Sequence, residues 1–127
     1  MSLRKLALLP MLAAAAIAQS NGGSDNRPFP AFRIVGNVYY VGASDIAVFL
    51  IATPAGHILI NSGYEDTPPI IRDGIVNLGF KPTDVKILLN SQAHFDHVAG
   101  HAEIVRLTGA KVYSSEREVA ARRSVEA

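Results

Sequence analysis

A chain of 127 residues with no cysteine and a formal net charge of +1 excludes several classes of protein at once. At this length one domain is the limit, and folding buries only about two-thirds of the surface an unfolded chain exposes. Without thiols there is neither a disulfide frame nor a thiolate metal site, and the near-balanced charge offers no basic stripe for nucleic acid or an anionic membrane.

The head of the chain reads as a targeting segment. Arg4 and Lys5 precede an apolar run over residues 6–18, and Ala16-Ile17-Ala18 has the small-x-small form of a cleavage site. The run is short for a bilayer crossing. The expectation is therefore a bacterial secretory signal over residues 1–18, cut between Ala18 and Gln19. Its destination is periplasmic or secreted, with no membrane contact after cleavage. Arg4 and Lys5 leave with the signal, and the eleven acidic residues then outnumber the basic ones that remain. Residues 19–31 are polar and rich in Gly, Ser, Asn and Pro, a flexible lead-in. The folded domain is expected over residues 32–127.

From Phe32 the texture turns to β. Residues 32–35 and 38–41 flank Gly36-Asn37, a two-residue hairpin signal. Residues 47–52 and 57–61 flank Pro54-Ala55-Gly56 as a second hairpin. Both of its strands are continuously apolar, which predicts a sheet covered on both faces. Asp66 or Thr67 is placed to cap a helix that opens on Pro68. Ile71, Ile75 and Leu78 recur on one face, and Gly79 marks the stop. A buried strand is predicted over 85–90 and a short helix over 100–108, with Ile104, Val105 and Leu107 inward. Another strand follows over 111–114. Ser115-Glu116-Arg117-Glu118 reads as a capping box for a final helix that runs to Ala127. Meandering strands followed by βα units predict an α/β fold, a mixed β-sheet with helices on one outer face.

Chemistry concentrates in Gln92-Ala93-His94-Phe95-Asp96-His97, directly after the strand over 85–90. Three strong metal-binding side chains stand within four positions. His94 and Asp96 alternate with bulky neighbours, so a short loop turns both toward one point while Phe95 anchors the other way. Imidazole plus carboxylate is the donor set of catalytic rather than structural zinc. Hydrolysis by metal-activated water is the first functional expectation.

With these residues in view, the sequence resembles the metallo-β-lactamase superfamily over roughly residues 32–115. The family motif H-x-H-x-D-H stands here as Gln92-Ala93-His94-Phe95-Asp96-His97, followed by Val98-Ala99-Gly100. Upstream, Gly56-His57-Ile58-Leu59-Ile60-Asn61-Ser62-Gly63 resembles the family strand ending in L-I-D-x-G. Downstream, Thr108-Gly109-Ala110-Lys111-Val112-Tyr113 resembles its helix-to-strand step. The finer wording is most similar to the third subclass, whose ligands are His and Asp without Cys, in the branch with Gln in the first motif slot. The resemblance implies periplasmic hydrolysis of β-lactam antibiotics, a small-molecule substrate. It places Gln92 and His94 at a first metal position, and Asp96 and His97 at a second. Asp96 is the candidate catalytic residue as well, because a carboxylate beside metal-bound water accepts its proton or holds it in line.

Two departures shape the expectations. Gln92 replaces an imidazole with an amide, a poorer zinc donor, so one zinc ion is expected rather than two. The family also completes each position with a further His from later in its chain. The expectation is therefore a partial domain, the N-terminal half of an αββα sandwich, inactive as these 127 residues alone. His57 sits beside a turn and is expected to be structural. His101 is expected to pack on the motif loop or face solvent, and Asn61-Ser62-Gly63 to shape that loop by hydrogen bonds. Two alternatives stand beside the lactamase reading. One is another hydrolase of this fold, a thioesterase or lactonase. The other is a non-catalytic truncated product that self-associates through an exposed sheet edge.

Overall fold

In a computed structural model the structure describes residues 26–119. The expected signal, most of the lead-in and the end of the last helix lie outside the described residues. Six strands form one mixed sheet in the order β1 (Phe32–Val35), β2 (Val38–Tyr40), β3 (Phe49–Ile51), β4 (His57–Ile60), β5 (Val85–Leu89) and β6 (Lys111–Tyr113). β1 to β4 pair antiparallel, whereas β4–β5 and β5–β6 pair parallel. The parallel steps carry the helices α1 (Pro68–Asn77), α2 (Phe95–Val98) and α3 (His101–Thr108), with a 3₁₀ turn (Pro82–Asp84) before β5.

Local chemistry sets most of these elements. Gly36 turns the first hairpin at φ 54°, the positive first position that a tight two-residue loop requires. Pro68 opens α1, where a missing N–H is harmless, and Gly79 leaves it at φ 87°. Thr67 occupies the N-cap, but its hydroxyl does not cap. Instead its Oγ1 accepts from the Tyr64 N–H at 2.9 Å and donates to Asn26 Oδ1 at 3.2 Å. This strap ties the start of the described chain to the loop before α1.

Both crossovers cover the same face. Leu50, Leu59 and Leu88 lie side by side across β3, β4 and β5. They are fully buried beneath Ile71 and Ile75 of α1 and Ile104 of α3. Each such side chain contributes about 1.5–3 kcal/mol by leaving water. Tyr39 joins this face and meets the Phe80 ring edge-on, with centroids 5.1 Å apart.

The expectation that residues 47–52 and 57–61 are covered on both faces is not met among the described residues. Phe49, Ile51, Ile58 and Ile60 face away from the helices and are half-buried. Burial alternates along these strands although polarity does not, so the apolar run alone does not say which face the helices cover. On this second face Tyr40 stacks on Phe32 with centroids 5.4 Å apart, and its hydroxyl donates to the Ala43 carbonyl at 2.5 Å. Burial raises the Tyr40 phenol above its ordinary range, and the Asp45 carboxylate adds to the shift.

Three smaller expectations also change. The third strand begins at Phe49 rather than Ala47, because Ile46 and Val48 close a turn through Ala43 N–H to Ile46 O at 3.1 Å and Val41 N–H to Val48 O at 2.9 Å. On α3 the buried residues are His101, Ile104 and Thr108, with Leu107 only half-buried. The capping box at Ser115 is half formed. Its Oγ accepts from the Glu118 N–H at 3.4 Å, while the Glu118 carboxylate takes the Asn90 amide N–H at 2.6 Å.

Leu59→Ala is expected to lower the unfolding free energy by about 2–5 kcal/mol, the range for emptying a buried leucine site. Val76→Ala, at a position 53% exposed on α1, is expected to change it by less than about 0.5 kcal/mol. Urea melts of both variants check this, and equal effects would contradict the one-faced core.

Candidate metal centre

The parallel strands β4, β5 and β6 end on one side of the sheet, the side where open α/β sheets gather ligands. Asn61-Ser62-Gly63 follows β4, and Asn90-Ser91-Gln92 follows β5. The motif is not wholly loop. His94 is the N-cap of the one-turn helix α2, and Asp96 and His97 lie within that turn.

Gln92 and His97 are brought together, with the Gln92 amide nitrogen 2.6 Å from His97 Nε2. Asp96 Oδ2 stands 3.5 Å from the same Nε2. In that arrangement the amide donates to a bare Nε2, and the ring proton sits on Nδ1. His97 Nδ1 is itself buried with no hydrogen-bond partner. The His97 side chain is only 16% exposed and that of Asp96 40%. His94 is exposed, and its side chain does not cap α2. Gln92 meets His97, not His94, because α2 begins right after His94 and its turn carries His97 toward the end of β5.

Phe95 is 63% exposed, against the expectation that it anchors away from the site. Its one ring neighbour among the described residues is Tyr64, at 6.4 Å between centroids. With position 95 opening a helix rather than an extended loop, the alternation that would have turned its ring inward is lost.

The donors match zinc chemistry in kind and fall short in number. Asp96 and His97 supply a carboxylate and an imidazole, and Gln92 supplies an amide. Among the described residues no three His, Asp, Glu or Cys side chains gather as one metal-holding group. The lone pair at His97 Nε2, with Asp96 Oδ2 at 3.5 Å beside it, marks this as the place where a cation would find ligands.

The end of β4 holds the motif in position. Asn61 is buried and is the one non-glycine with positive φ among the described residues, at 73°. Its main-chain N–H donates to Leu89 O at 2.8 Å. Its side-chain Oδ1 accepts from the Ser91 N–H at 2.9 Å and the Ser91 hydroxyl at 3.1 Å. The residue before Gln92 is thus pinned from β4. The Ser62 N–H donates to His97 O at 3.0 Å and the Gly100 N–H to Gly63 O at 3.2 Å. A Cβ at Gly100 would stand 2.5 Å from Ser62 O, so only glycine permits this approach. The expected loop-shaping role of Asn61-Ser62-Gly63 agrees with these bonds. The sequence carried a signal for Asn61 in the residue type itself, since asparagine tolerates the left-handed region better than most.

His57 lies away from this cluster. Its Nδ1 accepts from the Thr53 N–H at 3.1 Å and its ring meets Phe80 at 5.0 Å, in agreement with a structural role. His101 is buried against Ser62, the inward of its two expected positions.

Comparison with known proteins places this geometry. A profile of the metallo-beta-lactamase superfamily matches residues 41–124. Among solved structures, native FEZ-1 metallo-beta-lactamase from Legionella gormanii is 51% identical with a TM-score of 0.75, over 77% of this chain and 37% of that one. MEM-A1, a subclass B3 metallo-beta-lactamase from a soil metagenome library, is 46% identical with a TM-score of 0.71, over 73% and 35%. MIM-1 from Novosphingobium pentaromativorans is 41% identical with a TM-score of 0.67, over 68% and 32%. The chain spans about a third of the length of these solved relatives.

Asn61→Gly keeps the positive φ and removes both side-chain bonds to Ser91. It is expected to cost about 0.5–1.5 kcal/mol, the net worth of a hydrogen bond whose donor, on the exposed Ser91, can turn to water. Asn61→Ala is expected to cost roughly 1 kcal/mol more, because alanine resists that backbone region. Chemical denaturation of the two variants orders them, and an alanine variant as stable as the glycine one would contradict the account.

Proposed function

This chain belongs to the metallo-beta-lactamase superfamily, and on that premise we propose that it serves zinc-dependent hydrolysis of β-lactam antibiotics. The observation that carries the reading is the convergence of Gln92, Asp96 and His97 beyond the ends of the parallel strands. It lies inside a segment that resembles subclass B3 enzymes at 46% and 51% identity. Asp96 and His97 are the proposed ligands of one zinc ion, with His94 and Gln92 as further donors. A bound zinc ion lowers the pKa of its water toward neutrality and polarises a carbonyl.

The chain's own residues have definite tasks in this proposal. The Asp96 carboxylate, partly exposed beside His97, takes the proton of the attacking water or holds that water in line. The Gln92 amide nitrogen lies 2.6 Å from His97 Nε2, the nitrogen that would hold the ion. As an amide Gln92 adds little to metal affinity, which favours a single ion. The Asn61–Ser91 bonds limit how far the Gln92 loop drifts from α2.

Periplasmic or secreted location is proposed on the apolar head of the chain over residues 6–18. No helix among the described residues is long and apolar enough to cross a membrane. Self-association is proposed through β1, an edge strand exposed along its whole length.

In a full-length protein that supplies the further family ligands, the zinc-loaded form is expected to open a chromogenic cephalosporin, and a chelator to abolish the reaction. Asp96→Asn is expected to lower turnover by at least about a hundredfold, as loss of a positioned proton acceptor does, and to weaken zinc binding in parallel. Unchanged zinc binding and turnover in Asp96→Asn would sink the assignment. Faster cleavage of an acyl thioester than of the cephalosporin would move the substrate class.

A further inference from the structure

The metal reading leaves one buried pair of reactive side chains unused. His101 opens α3 and is 8% exposed, and Ser62 is fully buried at the end of β4. Ser62 Oγ lies 2.6 Å from His101 Nδ1 and 3.3 Å from the main-chain oxygen of His97. The same oxygen accepts from the Ser62 N–H at 3.0 Å.

A hydroxyl has one proton to give. If His101 Nδ1 were bare, Ser62 would donate to it, and the approach of Oγ to the His97 carbonyl would be oxygen against oxygen with no proton between. With the proton on Nδ1, the ring donates to Ser62 Oγ, and the hydroxyl proton is free to bond the His97 carbonyl. Both contacts then become hydrogen bonds running in one direction. Buried polar groups favour the arrangement that satisfies more of them.

The consequence reaches the ligand-bearing turn. α2 is four residues long, far too short to hold its own pitch, so external bonds set where Asp96 and His97 point. We propose that His101 and Ser62 form a positioning relay, Nδ1–H to Oγ–H to carbonyl, that fixes the His97 main chain and thereby the direction of the Asp96 and His97 side chains. Neither residue touches the metal or the substrate. The proposal rests on the reading of Asp96 and His97 as metal ligands.

Two measurements test it. Nitrogen-15 NMR of the histidine rings in the metal-free protein reads the tautomer of His101, expected to be Nδ1–H. An Nε2–H ring would overturn the relay. Zinc affinity, measured by competition with a chromogenic chelator, reads the effect on the turn. Ser62→Ala and His101→Leu are each expected to weaken zinc binding by about 10–100-fold, the range for residues that orient a ligand from behind. The double variant is expected to be no weaker than either single one, because both break one chain. His101→Asn, whose amide nitrogen takes the place of Nδ1, is expected to recover most of the loss. Variants that melt earlier in urea yet bind zinc as the unaltered protein does would reduce the pair to packing and overturn the proposal, as would failure of His101→Asn to outperform His101→Leu. An unaltered protein that takes up no zinc would overturn the metal reading itself, and the tautomer would still decide the relay.

Discussion

The site depends on the close approach of two backbones, the tail of β4 and the turn that joins α2 to α3. Gly100 comes so near Ser62 that a methyl group would collide with its carbonyl, and main-chain bonds from Ser62 to His97 and from Gly100 to Gly63 close the seam. A helix of four residues has no stability of its own. Its orientation is borrowed from β4, which is in turn held by the central core of Leu50, Leu59 and Leu88. Packing beneath the sheet therefore reaches the proposed metal ligands through a handful of hydrogen bonds.

That arrangement explains why the cluster combines rigidity behind with exposure in front. Asn61, Ser62 and His101 are buried, whereas His94 is open to solvent and Asp96 partly so. Outer residues that fix a ligand's direction cost conformational freedom during folding rather than at the moment a metal arrives. The Gln92 amide nitrogen meets His97 Nε2, the nitrogen that a cation at this site would claim.

Much of the fold was legible because the signals were local. Gly36 at a hairpin, Pro68 and Gly79 around a helix, and the apolar run into β5 each act through their own backbone. The motif itself was legible as donor chemistry. What the sequence hid was partner choice. Gln92 reaching His97 depends on where α2 begins, and a one-turn helix has too few residues to show a 3.6 period. Phe95 turned outward for the same reason. Thr67 looked like a cap and became a strap to Asn26, a residue far away in sequence. Ser62 and His101 are 39 positions apart, and neither carries a pattern that announces the other. The burial of one sheet face could be read, but continuous apolar strands could not say which face the helices would cover.

Zinc K-edge X-ray absorption on the zinc-loaded protein tests the central claim most directly. The account predicts a shell of nitrogen and oxygen at about 2.0–2.2 Å with imidazole scattering, and weakening of that imidazole signature in His97→Ala. A spectrum of water oxygens alone, or one unchanged by His97→Ala, would contradict it.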